Sequence, residues 1–189
     1  MKGISAIALP AIILLLGAYY YLHTRNKKLN LSPSSTIITK SKNMKISSSA
    51  FEENESIPSK FTCDGESINP QLEITGVPEN ARSLALIVDD PDAPVAGGFV
   101  HWVVFNIDPG TKEIKENSVP ENGVEGTTSA GKLGYVGPCP PSGIHHYQFK
   151  LYALDSELDL GSSAKRGDVE KAMENHILDQ TILVGLYKR

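Results

Sequence analysis

The first 50 residues contain no aspartate or glutamate, although the 189-residue chain holds 22 of them. Lys2, Arg25, Lys27, Lys28, Lys40, Lys42 and Lys45 stand there instead. The remainder therefore carries 11 of the 18 lysines and arginines and all 22 acids, a net charge of −11. An acidic domain on a basic stalk argues against nucleic acid as the main partner, because phosphate neutralisation needs a basic face on the folded part. Cysteine is scarce, with only Cys63 and Cys139. No serine sits in a nucleophile elbow, and the histidine spacing matches no zinc signature. There is no internal repeat. What is present, 21% charged residues on a chain of this length, suits one domain with a real core.

Ile4 to Leu22 is uncharged and almost wholly apolar, about the ~20 residues that cross a bilayer as a helix. Tyr19-Tyr20-Tyr21 reads as an aromatic belt, and no small-x-small cleavage site follows a short apolar region. Residues 1–23 are therefore expected to be an uncleaved transmembrane anchor, 24–44 a flexible basic tether, and 45–189 the folded domain. The basic flank after the apolar run places that domain in the cytoplasm by the positive-inside rule. The sequons Asn30-Leu31-Ser32 and Asn54-Glu55-Ser56 fit the other side, and the two orientations stay open.

Within the domain, strands dominate, with one or two short helices. Ile46 to Glu53 reads as a first short strand and Leu72 to Ile74 as another, while Leu84-Ala85-Leu86-Ile87-Val88 reads as a buried one. Asp108 to Lys132, rich in Gly, Pro, Asn and Glu, reads as a surface excursion. Tyr147 to Ala153 alternates as a half-buried strand. A helix capped by Asp168 is expected to run to about Asp179, and Thr181 to Tyr187 closes the chain as a strand.

Two stretches carry chemistry. The buried strand ends on Asp89-Asp90-Pro91-Asp92-Ala93-Pro94, three carboxylates that repel one another unless something binds or screens them. A Gly97-Gly98 turn leads into Val100 to Ile107, where alternation places His101 with Val103, Phe105 and Ile107 and sets Trp102 opposite. The second stretch is the glycine- and proline-rich loop Gly134 to Gly143, which runs into Ile144-His145-His146-Tyr147. A stiff loop with backbone N–H groups and imidazoles is a seat for a phosphate- or carboxylate-sized anion. His145 and Tyr147 share one face and His146 takes the other. Plainer roles compete: Asp90 and Asp92 as Asx turns before proline, Tyr147 as a core aromatic, and Trp102 as packing. His23 and His176 have no expected role.

Asp90-Pro91-Asp92-Ala93-Pro94, then His101-Trp102, then Tyr135-x-Gly137-Pro138-x-Pro140-Pro141-x-Gly143-x-His145-x-Tyr147-x-Phe149 resemble the phosphatidylethanolamine-binding protein family. The Cys-Pro-Pro form is similar to its bacterial and archaeal, Raf kinase inhibitor-like branch. The resemblance runs from about Met44 to the last residue. It implies a large antiparallel sheet packed on a smaller one, with an anion pocket at one end lined by Asp90, Asp92, His101, Pro141, His145 and Tyr147. It also implies a cis bond at Ala93-Pro94. The family usually has arginine where this chain has His146. That swap gives up a permanent forked donor.

Two cysteines in turns leave two alternatives, a Cys63–Cys139 disulfide or two buried thiols. A bridge fits an oxidising compartment. The leading functional expectation is a non-enzymatic module that binds a small anion, a phospholipid headgroup or a phosphorylated side chain, without a cofactor. With the family's breadth in view, a protease or kinase target and the membrane complete the expected partners. The alternatives are a hydrolase or metal-dependent enzyme built on the Asp, His and Tyr residues, and a tethered interaction protein with a vestigial pocket.

Overall fold

The structure is a computed structural model that describes residues 44–189. Its strands are β1 (Lys45–Ser47), β2 (Glu55–Ser56), β3 (Leu72–Thr75), β4 (Ser83–Asp90), β5 (Phe99–Ile107), β6 (Glu113–Ile114), β7 (Val124–Glu125), β8 (Ile144–Leu154) and β9 (Ile177–Lys188). A 3₁₀ turn at Ser59–Phe61 and one helix, α1 (Arg166–Met173), complete the elements. The strands form a six-stranded sheet ordered β2-β9-β8-β4-β5-β7 and a three-stranded sheet ordered β1-β3-β6. All pairings are antiparallel except β2 with β9.

The central position of β4, between β5 and β8, explains its unbroken apolar run. Leu84, Leu86 and Val88 face the small sheet and join Ile46, Leu72, Ile74 and Ile114 in the main core. Ala85 and Ile87 face the other way, onto Val169 and Met173 of α1 and Phe105. Both faces are covered, so a continuous hydrophobic string replaces alternation. In β8 the alternation is plain: Tyr147, Phe149, Leu151 and Ala153 enter the main core. Met44 is buried in that core, and its amide donates to Asp179.

Several expected elements differ. β1 stops at Ser47, and Ala50 and Phe51 pack on the core from a loop. α1 begins at Arg166 and ends at Met173, because Asp168 is the third helical residue, not the cap. Its carboxylate accepts the Lys165 amide 2.9 Å away. Asn175 then takes a positive φ of 66°, and the chain enters β9 at Ile177. No described peptide bond is cis, so the bond at Ala93-Pro94 is trans. The turn closes by other means: the Asp92 amide donates to Asp90 Oδ1, the Val95 amide to Ala93 O, and the Gly98 amide to Val95 O. With those bonds reversing the chain, the ordinary trans preference prevails. Among the described residues no helix is long and apolar enough to cross a membrane. The expected anchor and most of the tether lie outside the described residues, so the transmembrane helix gains no structural support.

β5 carries the main surprise. Val88 pairs with Trp102 and Asp89 with Val100, so one extra residue, His101, is accommodated between them. A second irregularity separates Val104 from Ile107, where Asn106 adopts φ 57° and its side chain holds both backbone groups of Leu158. Asparagine tolerates that left-handed conformation better than most residues. These bulges undo the strict alternation. Val103 and Phe105 face α1, whereas Trp102, Val104 and Ile107 face the small sheet. His101 packs edge-on against Tyr147, on the small-sheet side, with ring centroids 5.2 Å apart. The face expected for His101 was wrong because a bulge adds a residue without a turn signal.

Candidate functional site

The face of the large sheet toward the small one ends, at one edge, in Asp90, His101, His145 and Tyr147. β4 delivers Asp90 two residues after Val88, β8 delivers His145 two residues before Tyr147, and the bulge turns His101 toward them. All four are buried. His145 Nδ1 donates to Asp90 Oδ2 at 2.7 Å. Asp90 therefore does two jobs, since its other oxygen closes the turn through the Asp92 amide.

Beside Asp90 and His101 lies a cavity of about 280 Å³. One wall is the returning turn, Ala93, Pro94, Val95 and Phe99. The opposite wall is the proline loop, Val136, Gly137, Cys139 and Pro141. That volume sits near the lower end for small-molecule pockets. Among the expected site residues, Asp90, His101 and Pro141 line it. His145 stands behind Asp90, and Tyr147 lies under the His101 ring. Asp92 is elsewhere: its Oδ2 accepts both the backbone amide of His146 at 2.8 Å and Nδ1 of that ring at 2.7 Å. Hydrogen bonding to His146, from ring and backbone, holds the Asp92 carboxyl below the usual carboxylate range. His146 thus occupies the place expected for an arginine by pairing with a first-motif carboxylate, facing away from His145.

The walls are fixed by short-range bonds. His101 Nδ1 lies 2.6 Å from the Val136 carbonyl, which accepts its proton, while the Val136 amide donates to the His101 carbonyl at 2.9 Å. The Gly137 amide donates to Ser67 Oγ at 2.9 Å, and the Cys63 amide to Pro138 O at 3.0 Å. A disulfide joins Cys63 to Cys139 across the same junction, which decides between the two cysteine alternatives. A Cβ at residue 137 would stand 2.8 Å from the Thr62 carbonyl carbon, so only glycine permits this contact. Gly98 plays the same part on the other wall, with φ 75° and Asp90 O 2.5 Å from where a Cβ would be.

Electrostatics set what this cavity accepts. Burial pushes the His101 imidazolium below the ordinary histidine value, against the opposing pull of the Val136 carbonyl and of the Asp90 and Asp89 carboxylates. Burial, reinforced by Asp90, raises the Tyr147 hydroxyl well above the usual tyrosine range. That hydroxyl has no hydrogen-bond partner of ordinary geometry, although the Cys139 backbone opposes part of the rise. Asp89, on the opposite sheet face, is a structural ion: Lys150 at 2.8 Å and Arg166 at 3.2 Å share its Oδ2. The wall residues Val95 and Phe99 were missed from sequence, because nothing marks a turn residue as cavity-facing before the turn's path is known. His176, expected to be idle, pairs with Asp155 at 2.7 Å.

Two packed sheets with a preformed cavity where an aspartate–histidine pair meets a bulged strand define a two-layer β protein with a small binding pocket. The chain belongs to the phosphatidylethanolamine-binding protein family, whose model matches residues 47–188. It is 50% identical over 151 residues to a UPF0098 protein of Methanothermobacter thermautotrophicus, spanning 77% of this chain and 99% of that one. A UPF0098 protein of Aquifex aeolicus is 46% identical over 153 residues, spanning 77% of this chain and 89% of that one. Among solved structures, a phosphatidylethanolamine-binding protein homologue from Chlamydia trachomatis superposes with TM-score 0.75 at 37% identity. That match covers 79% of this chain and 99% of the other. YbcL of E. coli gives 0.74 at 28% identity, covering 78% and 99%. The hydrolase or metal-dependent alternative gains no support: among the described residues no group of three or more His, Cys, Asp or Glu is placed to hold a metal ion.

Proposed function

We propose that the cavity binds a small phosphate-type anion, either free or as the head of a phospholipid or of a phosphorylated side chain. The observation that carries this reading is the state of His101. Its Nδ1 is committed to the Val136 carbonyl, so Nε2 is the one polar ring atom left on a residue that lines the cavity. Burial disfavours the charged form of this ring. A phosphate-type guest shares one proton with Nε2: the guest brings a P–O–H, or the ring takes up a proton and donates it. Where the guest is a phosphorylated side chain, the proposed consequence is that the domain masks it and so regulates a kinase or protease target.

Titration of the full chain with inorganic phosphate, phosphoethanolamine and a phosphoserine peptide, read on the histidine ring signals, tests this. His101 is expected to shift, and affinity to rise from pH 8 to pH 7, by about fourfold for inorganic phosphate, which is already partly protonated at pH 7, and by close to tenfold for the phosphate monoesters, as one-proton linkage requires. His101→Ala is expected to lose both the affinity and the pH slope. A wild-type chain that leaves the His101 signals unmoved by all three probes at millimolar concentration ends the reading. Stability shows the opposite sign without a ligand. Because the folded state depresses this pKa, the His101 contribution is whole above the unfolded value of ~6.5 and is lost as pH falls through that value toward the folded one.

A second element of the reading is location. The apolar Ile4–Leu22 run and the basic residues after it support a chain held at a membrane. In fractionated cells the full chain is expected in the carbonate-resistant membrane pellet. Recovery in the carbonate-soluble fraction contradicts the anchor.

A further inference from the structure

No lysine or arginine lines the cavity, and its one formal charge is the Asp90 carboxylate. A phosphate-type guest must bring its charge into that field, and the proton on His101 offsets only part of it. A cation reaches the proline-loop wall from just past the end of β9. That strand pairs with β8 so that Tyr187 lies opposite His145 and Lys188 opposite Ile144, which carries Arg189 to the proline loop. There Arg189 Nη1 lies 3.7 Å from the sulfur of Cys139, a cavity wall residue. Its Nε forms an ion pair with Asp64 Oδ1 at 3.2 Å, and the second Asp64 oxygen is occupied by the Tyr187 hydroxyl at 2.7 Å.

This arrangement is a half-spent fork. A guanidinium has five N–H donors in one plane. Here Nε faces a carboxylate and Nη1 faces a disulfide sulfur, a weak acceptor, while Nη2 has no partner among the described residues. An anion oxygen at the cavity mouth is a stronger acceptor than sulfur, and a planar fork suits phosphate geometry. Asp64, fixed by Tyr187, positions the fork and leaves its outer edge free. The Arg189 side chain is half-exposed, so it can turn toward a guest without breaking a buried contact. We infer that Arg189 is the anion-recognising cation of this pocket, supplying from the rim the positive charge that the cavity walls lack. The inference rests on the phosphate reading above and narrows it: the guest is a phosphate whose outer oxygens reach the mouth, next to Cys139.

The test compares full-length wild type, Arg189→Gln and Arg189→Lys, titrated with inorganic phosphate at two salt concentrations and read on the His101 ring. Arg189→Gln is expected to weaken binding about tenfold and flatten the salt dependence, as loss of one exposed charge-assisted contact implies. Arg189→Lys is expected to keep the salt dependence and recover part of the affinity, since it retains charge without the fork. Equal affinity and equal salt dependence for wild type and Arg189→Gln overturns the role of Arg189 while leaving phosphate binding intact. Absence of any His101 response in wild type overturns the parent reading instead, so the two failures are distinct.

Discussion

Replacing Asp90 with alanine is expected to destabilise the domain by about 3 kcal/mol, since each buried group left without its partner costs ~1–3 kcal/mol. One such group appears, and a turn contact is lost with it. The His145 ring, its side chain 8% exposed, loses the acceptor for Nδ1–H, and the Asp92 amide, on an exposed residue, loses the bond that closes the turn. Asp90→Asn is expected to fall between the wild type and alanine. It can keep an acceptor for one of the two donors and presents an N–H₂ toward the other. Urea unfolding at pH 7 measures both. A loss below ~1 kcal/mol for alanine means that water replaces the carboxylate and that the pair does not organise the site. The exposed pair of Asp92 and His146 offers a built-in contrast, because solvent screens it and its removal is expected to cost far less.

Removing the Cys63–Cys139 bridge is expected to have the largest effect on stability. The two cysteines are 76 residues apart in sequence, and closing a loop of that size restricts the unfolded chain by roughly 4 kcal/mol on the chain-entropy account. The double variant Cys63→Ser, Cys139→Ser is therefore expected to unfold at a much lower urea midpoint with a steeper slope, because the unbridged unfolded chain exposes more surface. The proline loop keeps three further ties, to His101, Ser67 and the Cys63 amide, so its path past the cavity should persist. The His101 ring signals check this: they are expected in the wild-type positions in the folded double variant. A midpoint unchanged by the double substitution refutes the stabilising role.

Much of this was legible in the residues because the relevant physics is local. The apolar string of β4, the alternation of β8 and the opposed faces of His145 and His146 follow from strand geometry and burial. The two motifs marked where the site lies. Their pairing was less legible. Asp90 and Asp92 are chemically alike and two residues apart, yet Asp90 makes the Asx turn and Asp92 grips His146, a division set by which one the sheet buries. The family resemblance suggested a cis proline that the turn does not contain. Arg189 gave no signal at all, since only the β8–β9 register brings it beside Cys139. The helix was overextended because Asn175 stops it by backbone conformation, not by any change in hydrophobic pattern.

The extra residue in β5 has a consequence for anyone who would rebuild this protein. Chemical identity at position 101 is not sufficient for its role; the strand must also contain the right count of residues before Trp102. Excising one residue between Gly98 and Trp102 would restore simple up-and-down parity. An imidazole kept next to Trp102 would then point into the layer under α1, among Val100, Val103 and Val169, instead of toward Tyr147. The chain stores this part of its chemistry as a spacing, and a transplant that copied every side chain but lost that spacing would carry the residues without the pocket.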